Sequence, residues 1–83
     1  MDIKRQIYEY IVGTFNIEAD EDFTEDVNLF DYGYVDSLDA MAILTYLEDN
    51  FGIEVSQRDL MLHPMNSINE LAAVVNIKLG EGA

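Results

Sequence analysis

The residues best placed to do chemistry in this chain lie in Gly33-Tyr34-Val35-Asp36-Ser37-Leu38-Asp39, where an acidic stretch gives way to a long apolar one. Ser37 stands at that corner. Asp36 before it has the type and position of a helix N-cap, and Asp39 that of an acid favoured near a helix's positive end. Such a serine is either an ordinary first-turn residue or a hydroxyl held out for covalent modification, and the local sequence leaves both open. It lacks the features of a hydrolytic nucleophile. The elbow that exposes such a serine has glycines two residues to either side, whereas Gly33 lies four residues upstream and no glycine lies two downstream. Serine attack also needs a base within hydrogen-bond reach, and the single histidine, His63, sits beside Pro64 in a place suited to a surface or capping residue.

Carboxylates are the other abundant chemical group, with 17 acids against Lys4, Arg5, Arg58 and Lys78 and a net charge of −13. Paired acids could serve glycoside cleavage by type, but 83 residues leave little room for a sugar cleft. Glu18-x-Asp20-x-Asp22 begins like a calcium loop, yet Phe23 occupies the sixth position in place of glycine and Leu29 the twelfth in place of glutamate. No metal site is assigned. Glu18, Asp20, Glu21, Asp22, Glu25, Asp26, Asp31, Asp36 and Asp39 follow one another with no basic residue between them. Such a field repels nucleic acid and anionic membrane, which bind through cations. It draws in basic protein surfaces. With no cysteine there is neither a disulfide nor a thiolate, so thiol chemistry must arrive on a prosthetic group. No catalytic residue is assigned, and the chain reads as a non-enzyme. Neither a signal core nor an apolar run of about 18 residues is present, so a cytoplasmic monomer without membrane insertion is expected.

The elements that must hold this stretch follow from apolar spacing. Ile3, Ile7, Tyr10, Ile11 and Phe15 predict a helix over residues 2–15, weakened near its end by Gly13 and stopped at Asn16. Residues 17–36 read as a long loop pinned to the core by Phe23, Val27, Leu29 and Phe30, with a turn of helix near Thr24–Val27. A second helix spans 37–50, apolar around much of its circumference and closed by Gly52. Ser56-Gln57-Arg58-Asp59 and Ser67-Ile68-Asn69-Glu70 have capping-box spacing and open a short helix over 57–62, ended before Pro64, and a last one over 68–79. The tail from Gly80 is expected to fray. Leu38, Met41, Ile43, Leu44, Leu47, Ile68, Leu71 and Val75 are the simplest core. The fold class is all-α: one domain over residues 1–83, a four-helix bundle of three main helices and a short third, with a long first loop.

Phe30-Asp31-Tyr32-Gly33-Tyr34-Val35-Asp36-Ser37-Leu38-Asp39 resembles the attachment motif of the acyl and peptidyl carrier protein family. Leu47-Glu48-Asp49-Asn50-Phe51-Gly52-Ile53-Glu54-Val55 is similar to the end of that family's second helix, and Ser67-Ile68-Asn69-Glu70-Leu71-Ala72 to the start of its last. The likeness runs in order along nearly the whole chain. It implies that Ser37 is esterified with 4′-phosphopantetheine, donated by coenzyme A through a phosphopantetheinyl transferase, with Asp36 and Leu38 completing the motif. The arm then holds acyl or aminoacyl groups as thioesters and delivers them to partner enzymes: a ligase or adenylating enzyme that loads it, and acyl-transfer or synthase enzymes downstream.

Ala40 and Ala42 stand where fatty-acid carriers often have an acid, and Gln57, Arg58 and Met61 replace acids on the third helix. The chain looks closer to D-alanyl or specialised stand-alone carriers than to the housekeeping fatty-acid carrier. The resemblance also implies that Asp39, Glu48 and Asp49 meet partner enzymes, with Leu38 and Met41 as the apolar part of the docking surface. The rival reading is a small acidic adaptor or inhibitor that binds a basic partner without modification.

Overall fold

A computed structural model of the chain describes residues 2–18 and 21–82. Among them are four helices and no strand: α1 (Ile3–Thr14), α2 (Ser37–Phe51), α3 (Gln57–Leu62) and α4 (Ile68–Gly82). The expected all-α bundle is what the chain forms. Asp20, the middle acid of the calcium-like spacing, lies outside the described residues.

Local capping chemistry sets most boundaries. The Asp2 carboxylate accepts the Arg5 N–H at 3.0 Å and starts α1. At its other end Asn16 takes φ 53°, a left-handed angle that asparagine tolerates better than most residues. The Ile17 N–H then donates back to the Val12 carbonyl at 3.2 Å, as in a Schellman closure. Gly52, at φ 66°, ends α2. Ser56 and Asp59 form the expected reciprocal box at α3, which closes on an extended His63 before Pro64. At α4 the Ser67 hydroxyl accepts the Glu70 N–H, while the Glu70 carboxylate reaches back beyond Ser67 to the Asn66 N–H.

Ile7 and Ile11 of α1, Ile43, Leu47 and Phe51 of α2, and Ile68, Leu71, Ala72 and Val75 of α4 form one buried cluster. Helix α4 is central, packing against both α1 and α2. The loop completes the core with Phe23, Val27, Leu29 and Val35 buried and Phe30 partly so. A polar and aromatic seam joins α1 to α2. Tyr10 and Tyr46 stack with ring centres 3.8 Å apart. Their hydroxyls donate across the seam to the carbonyls of Ala42 and Gln6. Burial raises the Tyr46 phenol above its ordinary pKa, with Tyr10 and Glu9 adding to the shift.

Three expectations change. Leu38 and Met41 do not join the core; they are 80% and 65% exposed. At 100° per residue they fall on the side of α2 away from Ile43, Leu47 and Phe51, and so small a fold packs α2 on one side only. Helix α4 runs on to Gly82, past the expected stop at Leu79. Gly80 has no positive φ, so it does not act as a left-handed cap, and propagation through glycine costs only about 1 kcal/mol relative to alanine. Finally, Thr24–Val27 forms a hydrogen-bonded turn and no helix, with the Val27 N–H donating to the Thr24 carbonyl; the helical turn in this loop lies further on.

Helix α3 is too short to stand alone and is tethered through Asp59. This buried carboxylate accepts the Ser56 N–H and hydroxyl, each at 2.9 Å, and pairs with Lys78 of α4 at 3.0 Å. The Ser56 N–H, then Lys78, hold its pKa down to about 2 from 3.8. Because the folded pKa lies below the unfolded one, the stabilisation is complete above about pH 5 and disappears as pH falls toward about 2. The melting-temperature gap between the wild type and Asp59→Asn should therefore be constant from neutral pH down to about pH 5 and close below it, as read by thermal unfolding across that range.

Candidate functional site

The approach to Ser37 is a single capped turn. The Asn28 side-chain oxygen accepts the N–H groups of Phe30 and Asp31, each at 3.0 Å, which is N-cap behaviour. The Asn28 carbonyl takes the Tyr32 N–H. Gly33 adopts φ 76°, and the turn closes as a Schellman motif: Gly33 N–H to Phe30 carbonyl at 3.1 Å, Tyr34 N–H to Leu29 carbonyl at 2.9 Å. An L-residue at Gly33 would meet no neighbour, so glycine is required there by backbone angle and not by space.

Two anchors fix this turn to the body. Leu29 is fully buried, and its N–H donates to the Asn66 carbonyl at 2.8 Å, just ahead of α4. Asn69 of α4 donates its backbone N–H to the Glu25 carbonyl and its amide to the Asp26 carboxylate. Aromatic contacts run from Tyr8 of α1 to Phe23 and on to Tyr34.

Helix α2 then begins with a reciprocal capping box. The Asp39 N–H donates to Asp36 Oδ1 at 2.9 Å, and the Asp36 N–H donates to Asp39 Oδ2 at 3.1 Å. Ser37 is the first residue of the helix and is exposed. Its hydroxyl makes no hydrogen bond among the described residues, so Oγ is not engaged by the fold. The capping reading and the modification reading are therefore compatible: Asp36 does the capping and Ser37 stands free.

The other expected site residues separate into groups. Leu38, Met41 and Asp49 share the outward face of α2 at helical spacing. Asp39 is turned into the capping box. Glu48 accepts the Val55 N–H at 3.0 Å, which ties down the turn after α2 and engages one of its oxygens. His63 caps the end of α3, its N–H donating to the Asp59 carbonyl at 3.0 Å, in line with its expected place. It also lines a cavity of about 240 Å³ with Phe30, Ala40, Leu44, Leu60 and Met65. That volume is below the roughly 300–1,000 Å³ of ordinary ligand pockets, and part of its wall is core.

Sequence reasoning missed Asn28, whose signal is the cap-to-glycine spacing Asn28-x-x-x-x-Gly33. It also missed the exposed apolar ridge Leu60-Met61-Leu62 on α3, where Met61 is 87% exposed. With Asp59 turned inward onto Lys78, the side chains that α3 shows to solvent include this ridge and Arg58.

Comparison with known proteins gives one finding. The family model for a phosphopantetheine attachment site matches residues 5–75, a span that includes the capped turn, Ser37 and most of the bundle. Neither the curated proteins nor the solved structures gave a significant match.

The exposure pattern of α2 carries its own test. Leu38→Ser with Met41→Ser should change stability by no more than about 0.5 kcal/mol per site, whereas Leu47→Ala in the core should cost about 2–5 kcal/mol, both measured by urea unfolding.

Proposed function

The chain belongs to the family of carrier domains that bear a phosphopantetheine attachment site, and from that premise we propose that Ser37 is the residue that takes the 4′-phosphopantetheine arm. Domains of this family are not themselves catalytic; they are substrates of a phosphopantetheinyl transferase and of acyl-handling enzymes. The observation that carries the assignment is the open Ser37 hydroxyl at the first position of α2, preceded by a turn whose backbone N–H groups all have partners.

The surroundings fit the group. Ser37 Oγ forms a bond to phosphorus of the coenzyme A pyrophosphate as the bond to adenosine 3′,5′-bisphosphate breaks, and the hydroxyl proton leaves to a base on the transferase. A phosphodiester on Ser37 would lie at a helix N-terminus, whose N–H groups and dipole favour an anion. Asp36 and Asp39 are poor neighbours for that charge, but each spends a carboxylate oxygen on the other's backbone N–H. The arm, when bound, supplies the thiol that this cysteine-free chain lacks and carries an acyl or aminoacyl group on it.

Partner enzymes approach along the outer face of α2 in this reading. Leu38 and Met41 offer an apolar contact next to Ser37, and Asp49, with Asp39 and Glu48, meets basic residues. The net charge of −13 speeds such encounters and opposes self-association. That charge supports a monomer, which we place in the cytoplasm; among the described residues no helix is long and apolar enough to cross a membrane.

The chain is further read as a specialised carrier, loaded by a dedicated acyl or aminoacyl ligase or adenylating enzyme. The support is α3, whose outward side is Arg58 and an apolar ridge in place of acids. Charging assays with adenylating enzymes and with a fatty-acid malonyl transferase address this directly. Rapid charging by the malonyl transferase alone would remove the specialised reading.

The attachment itself is tested by intact mass before and after incubation with coenzyme A and a broad-specificity transferase. The wild type should gain one phosphopantetheine and Ser37→Ala none, while Leu38→Ser with Met41→Ser should gain it more slowly. No gain on folded, unmodified wild type would overturn the assignment and favour an unmodified acidic adaptor.

A further inference from the structure

Resting on Ser37 as the acceptor, we propose that Asn28 is a positioning residue for its modification, its carboxamide oxygen folding residues 28–33 into the turn that fixes where Ser37 stands.

The hydrogen bonds form an unbroken run. From Leu29 to Asp36 each backbone N–H has a partner: Leu29 to Asn66, Phe30 and Asp31 to the Asn28 side chain, Tyr32 to the Asn28 carbonyl, Gly33 to Phe30, Tyr34 and Val35 to Leu29, and Asp36 to Asp39. Two of these eight partners are supplied by the single oxygen of Asn28. A lone helical turn is unfavourable because it fixes about six dihedral angles for one hydrogen bond. Two additional bonds from a side chain at the turn's start, and the glycine closure at its end, are what allow it to exist without a longer helix behind it.

The turn sets the course of the chain into α2. The Leu29 carbonyl accepts from both Tyr34 and Val35, at 2.9 and 3.2 Å, so the far end of the turn is drawn back onto its beginning. Val35 is buried next, and Asp36 then enters the capping box. The box orients the first turn of α2, and the Asn28 turn determines where that first turn is delivered. A transferase must bring Ser37 Oγ to about 3–3.5 Å from phosphorus, and a 1 Å misplacement can cost as much as about a hundredfold in rate.

Asn28 is separable from folding. The loop is held on the core by Phe23, Val27, Leu29 and Val35 and by the bonds from Asn66 and Asn69, none of which needs the Asn28 side chain. Asn28→Leu keeps the shape and removes the acceptor; Asn28→Asp keeps the acceptor.

The experiment is steady-state phosphopantetheinylation of the bare carrier by a broad-specificity transferase with coenzyme A, the carrier concentration varied. Circular dichroism confirms that each variant is folded at the assay temperature. Asn28→Leu should lower kcat about tenfold with KM for the carrier within about twofold, and Asn28→Asp should restore kcat to within about twofold of wild type. Hydrogen exchange at the Phe30 and Asp31 amides, which lose their acceptor, should speed up in Asn28→Leu while core amides hold.

A folded Asn28→Leu with wild-type kcat overturns the proposal, as does Asn28→Asp performing no better than Asn28→Leu. If Asn28→Leu does not fold, Asn28→Ala takes its place under the same criteria. An inert wild type means that the Ser37 reading has failed. An active wild type with all Asn28 variants alike means that only the positioning role has failed.

Discussion

Leu29 is the constraint on which the rest depends. Its side chain is fully buried, its N–H is bonded to Asn66 and its carbonyl takes two N–H groups from Tyr34 and Val35. One residue therefore ties the long loop to the core, to the start of α4 and to its own continuation toward Ser37. A buried backbone must find partners for its N–H and C=O, and Leu29 finds them on both sides of the site. A loop of this length is ordinarily a place where the chain moves. Here it is held down by ordinary packing and by carbonyl and carboxamide acceptors, which leaves Ser37 exposed on a firm base.

The acidic composition acts through two populations of carboxylates. Some are structural: Asp2, Asp36, Asp59 and Glu70 accept backbone N–H groups at helix starts, and Glu48 does so after α2. Asp59 alone among these is buried and paired with a lysine, which binds the short α3 to α4. Others, Asp49 among them, remain on the outside and make the field that a basic partner meets. The same residue type thus sets helix register in one place and encounter rate in another, and only the partner groups tell the two apart.

Helix α2 combines these roles along one length. Its inner stripe of Ile43, Leu47 and Phe51 holds it in the bundle, its outer face shows Leu38, Met41 and Asp49, and its first residue is Ser37. Exposed leucine and methionine beside the free Ser37 hydroxyl cost the fold little, because they were never part of its core. They are available for an intermolecular contact in which methionine's flexibility is an advantage.

The sequence by itself determined the helices, the caps at Asp36, Ser56 and Gly52 and the likeness of the Ser37 stretch to a carrier motif. These are local: an N-cap oxygen, a left-handed glycine and a 3.6-residue period act within a few residues, so a linear string contains them. Tertiary structure decided what depends on which side of a helix has neighbours. Leu38 and Met41 are as apolar as Ile43 and Leu47, and only the positions of α1 and α4 leave the first pair wet and bury the second. The ties of Lys78 to Asp59, of Asn66 to Leu29 and of Asn69 to Glu25 join residues far apart in the chain, and no spacing rule links them. Asn28 lies between the two cases. Its cap spacing to Gly33 is written in the sequence, but that the turn carries the serine's position follows from a backbone network that exists only once the loop has folded onto the core.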